Sequence, residues 1–154
     1  MSGAVPLWFD APVTEPATIE TFRAAVDALF PTGGEHPGAL ELNAHEHIIE
    51  LVELGLPEGF TDLIASLLDA YAQGVRPDSR FSELDPAERV AVLRTMAAEP
   101  DPDTSDAANI FWIFSLGAMY SEWTGTVSGG RPAMWDELGY PGPVLGHPDH
   151  RRGT

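Results

Sequence analysis

Apolar positions recur at helical spacing in successive stretches of the chain, and no stretch shows the alternation of a strand. Ile19, Phe22, Val26, Leu29 and Phe30 lie on one helical face up to Pro31. With Thr18 as a capping residue and Glu20 and Thr21 in the first turn, they predict a first helix of about three turns. Thr32 to Gly38 reads as a loop by its glycines and prolines. A second helix is expected from about Ala39 to Leu54, with Leu40, Ala44, His47 or Ile48, and Leu51 along one face and Gly55 and Pro57 as its stop. Phe60, Leu63, Ile64, Leu67, Leu68 and Tyr71 give the cleanest amphipathic pattern, a third helix over about Pro57 to Gln73 ended by Gly74. After Phe81-Ser82-Glu83-Leu84, the run Asp85-Pro86-Ala87-Glu88 combines an N-cap acid, a proline at the first helical position and a glutamate at the third. It opens a fourth helix that turns Val90, Leu93, Met96 and Ala97 inward and ends near Glu99-Pro100.

A fifth helix, about Thr104 to Trp123, contains Ile110-Phe111-Trp112-Ile113-Phe114, then Leu116, Met119, Tyr120 and Trp123. It is apolar on nearly all sides, so it must be covered on all sides, at the bundle centre or by a second protein. A short domain encloses one helix wholly only with difficulty, which favours a partner surface. Beyond it, Trp135-Asp136-Glu137-Leu138-Gly139-Tyr140-Pro141-Gly142-Pro143 packs prolines, glycines and large aromatics too densely to continue a helix or sit in a central strand. An ordered extended tail is expected, its aromatics lying on the helices or on another protein. The fold class is therefore all-α: about five helices in an irregular bundle over residues 17–125, an extended N-terminal arm over 1–16, and a Pro/Gly/aromatic tail over 126–154. Within the arm, Leu7-Trp8-Phe9 forms a hydrophobic anchor expected to dock on this domain or on a partner.

Composition narrows the function. The chain has 154 residues and a net charge of −16, from 24 acids against 8 bases, all arginine. That balance argues against nucleic acid and against anionic membrane surfaces, and favours an electropositive partner. No apolar run reaches the roughly 18 to 20 residues that span a bilayer. Nothing at the amino terminus reads as an export signal or a twin-arginine motif, so a cytoplasmic location is expected. With no cysteine, disulfides, thiolate zinc sites, iron–sulfur clusters and covalent haem are excluded.

Catalytic chemistry finds little support. Glu46, His47 and Glu50, with His45 adjacent and His36 upstream, form the one cluster that could hold a metal, since His47 and Glu50 are three apart on a helix. His45 is expected to point elsewhere. A di-iron bundle would need a second Glu-x-x-His pair, and none is present. The expected account is a solvated acidic face with a histidine packed at its edge. Ser115 and Ser121 lie in no GxSxG elbow, no GxGxxG follows a strand, and Asp85 and Glu88 read as capping residues.

Taken in order, Phe22 to Pro31 (FRAAVDALFP), Gly38 to Glu41 (GALE), Phe81 to Arg89 (FSELDPAER), Phe111 to Tyr120 and the terminal WDELGYPGP resemble the small subunit, subunit 3, of gluconate 2-dehydrogenase. The resemblance covers roughly residues 20 to 144 and rests mainly on the terminal motif and on the order. It implies a non-catalytic accessory subunit of an FAD-dependent sugar, polyol or alcohol dehydrogenase. The small subunit would stabilise or help fold a large flavoprotein of the glucose-methanol-choline type, which would hold the FAD and the catalytic base. In exported members the small subunit can carry a twin-arginine signal for both chains, and this sequence departs from that. Trp112, Tyr120, Trp123, Trp135, Leu138, Tyr140, Pro141, Gly142 and Pro143 are the expected partner contacts, with no catalytic, cofactor or metal residue in this chain. Two other readings stay open: a free-standing helical protein with a metal or small-molecule site near His47 and Glu50, and a homo-oligomer that buries the fifth helix against itself.

Overall fold

The computed structural model describes residues 14–120 together with Trp135, Glu137, Leu138 and Gly139. Among them there are five α-helices and no strand: α1 Pro16–Leu29, α2 Ala44–Gly55, α3 Phe60–Val75, α4 Pro86–Ala97 and α5 Pro102–Tyr120, with a short 3-10 helix at Phe81–Glu83 before α4. The all-α expectation holds.

α1 is the centre of the bundle and packs against every other helix. Its buried face explains why. Phe22, Ala25 and Val26 are fully buried, and the small side chains of Ala24 and Ala25 let neighbouring backbones approach. Phe22 meets Phe111 of α5 edge to face, with ring centroids 4.9 Å apart and planes at 71°. The core continues through Ile48 and Val52 of α2, Ile64 and Leu68 of α3, and Val92, Leu93 and Met96 of α4.

The α3–α4 link is fixed by polar contacts that the sequence only half announces. Phe81 is fully buried, and its backbone N–H donates to Asp69 at 2.8 Å. Arg76 donates to the Glu83 carbonyl at 3.1 Å and to Glu88 at 2.6 Å. Asp85 and Glu88 form the expected capping box, the Asp85 N–H donating to the Glu88 carboxylate at 2.9 Å. That N–H first, and Arg76 next, hold the Glu88 carboxyl below its ordinary range. The FSELDPAER segment is thus a helix start and a clamp.

The GALE segment is a close backbone crossing. The Ala39 N–H donates to the Phe30 carbonyl at 2.9 Å, which ties the loop back to the end of α1. A Cβ at Gly38 would lie 2.7 Å from Thr32 backbone atoms, so only glycine fits there.

Several boundaries differ from expectation. α1 begins at Pro16, where proline suits the first turn, rather than behind Thr18; the Thr18 hydroxyl instead donates to Asp62 of α3. α2 begins at Ala44, because Gly38 to Asn43 form tight turns, with Asn43 left-handed at φ 52°. α3 begins at Phe60 and runs through Gly74 to Val75, capped by the left-handed Gly59. In α4 Val92 is buried and Ala97 exposed, the reverse of the reading that turned Ala97 inward.

Gly38→Ala is expected to lower unfolding free energy by about 1–3 kcal/mol through the backbone clash. Gly74→Ala, with open space around its Cβ, is expected to raise it by about 0.5–1 kcal/mol through a better helix. Urea titration of both variants reads the opposite signs, and equal effects would refute the crossing as the reason for glycine.

Candidate functional site

α5 has two unlike faces. Ala107, Ala108, Phe111, Ser115 and Ala118 are buried against the bundle. On the other side Trp112 is 49%, Ile113 60% and Tyr120 46% exposed, with Leu116 half-buried between them. An ordinary surface helix carries polar residues there. The expectation that this helix is apolar all round is met. Among the described residues, however, only one side is covered.

Two grooves flank this stripe. One, about 340 Å³, runs between the end of α2 and α5 and is lined by Leu51, Val52, Leu56, Ile110, Ile113 and Phe114. The other, about 350 Å³, lies between α4 and α5 and includes Leu29, Val90, Leu93, Arg94 and Trp112. Trp112 stacks on Phe30 with centroids 5.2 Å apart and planes at 23°, which holds the indole upright between helix ends. Such contiguous apolar surface marks an interaction site more often than a bare exterior.

The described tail residues return to this end of the bundle. Trp135 and Glu137 have helical backbone and Leu138 and Gly139 form a turn, Gly139 with φ 64°, so the segment is not extended where it is described. The Trp135 indole N–H donates to the Tyr120 carbonyl at 2.9 Å. Glu137 lies 3.7 Å from His36. Leu138 is 63% exposed. The structure thus places Trp112, Tyr120, Trp135 and Leu138 as described. Trp123, Tyr140, Pro141, Gly142 and Pro143 lie outside the described residues, as does Leu7-Trp8-Phe9 of the arm.

Ile113 is the large outward residue that the sequence reading does not single out. Ala108, Ser115 and Ala118 sit at helical spacing around Phe111, and this run of small side chains marks the inner face and leaves Ile113 outward.

The acidic face of α2 is solvated, with histidines packed behind it. His45 and His47 are both buried while Glu46 and Glu50 are exposed, and His45 turns to α1 rather than toward the His47–Glu50 pair. Arg23 approaches His45 Nε2 at 3.4 Å. A guanidinium only donates, so Nε2 accepts and the ring is neutral, with a buried Nδ1 that has no hydrogen-bond partner among the described residues. Burial pushes His45 below the ordinary histidine value of 6.5, and Arg23 pushes the same way against Glu46 and Glu20. Burial also lowers His47, opposed by Glu50. Among the described residues no three His, Asp or Glu side chains are grouped as a metal would require.

A small helical bundle with an uncovered apolar stripe and two apolar grooves along one helix has the exterior of a subunit. The family model described as gluconate 2-dehydrogenase subunit 3 matches residues 16–142, and the chain belongs to that family. No curated protein and no solved structure matches it significantly. No helix of the described residues is long and apolar enough to cross a membrane.

A histidine with a lowered folded pKa gives its full share of stability above about pH 6.5 and loses it as pH falls through the folded value. Melting temperature is therefore expected to drop between about pH 7 and pH 5. His45→Gln, which keeps an acceptor for Arg23 but does not titrate, should flatten that drop. Parallel melting curves for the two proteins across this range would show that His45 is not responsible.

Proposed function

We propose that this chain is the non-catalytic small subunit of an FAD-dependent dehydrogenase acting on a sugar, polyol or other alcohol, and that it stabilises or helps fold a flavoprotein large subunit of the glucose-methanol-choline type. Family membership supports the assignment to a dehydrogenase. The single observation that carries the companion role is the uncovered stripe Trp112, Ile113 and Tyr120 on α5.

Magnitudes indicate how the stripe would be used. Covering the exposed parts of three large side chains removes on the order of 300 Å² from water, worth ~7 kcal/mol before the costs of association. A stable interface takes about 800 Å² from each partner, so the stripe supplies its centre and needs flanking surface. In this proposal Leu138 and the groove between α4 and α5 contribute to that surface. The net charge of −16 favours an electropositive rim on the large subunit, which speeds encounter and selects the partner.

In this reading the large subunit performs the oxidation. The small subunit acts by binding to the folded form of its partner, which shifts the partner's folding equilibrium by mass action.

Co-expression with a glucose-methanol-choline-type flavoprotein from the same genome, followed by size-exclusion chromatography monitored at the flavin band, tests the proposal. Co-elution with FAD retained only when the small chain is present is expected. Trp112→Ser with Tyr120→Ser should weaken the complex at least tenfold, a loss of about 1.4 kcal/mol or more, while the isolated chain keeps its helical content by circular dichroism. A large subunit that is soluble and flavin-loaded alone, with separate elution of the two chains, would overturn it.

A further inference from the structure

The apolar groove between α2 and α5 lies close to where the N-terminal arm joins the described bundle. Thr14, the first described residue, donates its hydroxyl to Glu53 in the last turns of α2. Together with Val52, Glu53, Pro57 and Phe60 it lines a cleft around the end of that helix. Val52 is shared with the groove, which continues past Leu56 to Ile110, Ile113 and Phe114. The two depressions therefore adjoin at the end of α2.

The sequence supplies an occupant of matching chemistry on a tether of sufficient length. Leu7-Trp8-Phe9 stands five to seven positions before Thr14. At no more than about 3.6 Å per residue, that length reaches roughly 18–25 Å. A helix with its side chains is about 10–12 Å across, so the tether can pass around the end of α2 and enter the groove. A leucine and two large aromatics carry enough apolar area to fill a space of about 340 Å³. The charge argues against a second copy as occupant, since each chain carries −16 and two such chains repel.

We propose that Leu7-Trp8-Phe9 seats in the α2–α5 groove of its own chain. The arm then covers the Ile113 side of the stripe and leaves Trp112 and Tyr120 as the surface open to a partner. This inference goes beyond the small-subunit reading and holds whether or not that reading does.

The absence of cysteine makes a direct test simple. A nitroxide on Ala4→Cys in the full-length ¹⁵N-labelled chain is expected to erase the amide signals of Leu56, Ile110 and Ile113. Replacing Leu7, Trp8 and Phe9 by serine in the same chain should restore them, with helical content unchanged by circular dichroism. A mixture of spin-labelled ¹⁴N chain and unlabelled ¹⁵N chain should show no loss. The proposal is overturned by loss at Val90 and Arg94 with Leu56 retained, by no loss anywhere, or by loss in the mixed sample, which would place the arm of a second copy in the groove.

Discussion

The edge-to-face contact of Phe22 on Phe111 is the joint on which this bundle depends. It fixes α5 against α1, and α1 is the helix that every other one touches. The joint is tight because the side chains around it are small: Ala24 and Ala25 on α1, Ala107, Ala108 and Ala118 on α5. One consequence follows for the whole surface. Once the small face of α5 is turned inward, its large residues must face outward, and no further helix among those described covers them.

The other features fit that constraint. Of the described tail residues, Trp135 meets α5 at the Tyr120 carbonyl. The grooves beside Trp112 and Ile113 are bounded by α2 and α4, which pack against α5 from either side. The clamp of Arg76, Glu83 and Glu88, and the backbone crossing at Gly38, fix the segments that connect the helices. Rigid surroundings of this kind pre-organise a surface, so little ordering entropy is lost when a partner covers it.

Much of this was legible in the sequence, and the failures have specific causes. The number and order of helices came from apolar spacing, and the start of α4 from its capping box, because those signals are local. The start of α2 was misplaced because Gly38 to Asn43 follow helical spacing while a backbone crossing holds them in turns. Gly74 was read as a terminator, although a glycine with normal dihedrals in a packed helix costs too little to end it. The burial of His45 was missed because its partner, Arg23, comes from another helix. Family membership rested on a motif and an order of motifs. The partner face was foreseen as a property of α5, but which of its residues point outward depended on the inner face, whose small residues carry a weaker signal than the aromatics.

The central claim is that the outer side of α5 is a protein interface. Hydroxyl-radical footprinting of the purified pair tests it most directly, by comparing side-chain oxidation of Trp112, Ile113 and Tyr120 with that in the isolated chain. The account predicts strong protection of Trp112 and Tyr120 in the complex, while exposed residues elsewhere, such as Leu63 on α3, oxidise equally in both. Unchanged oxidation of Trp112 and Tyr120 in a stable complex would contradict it.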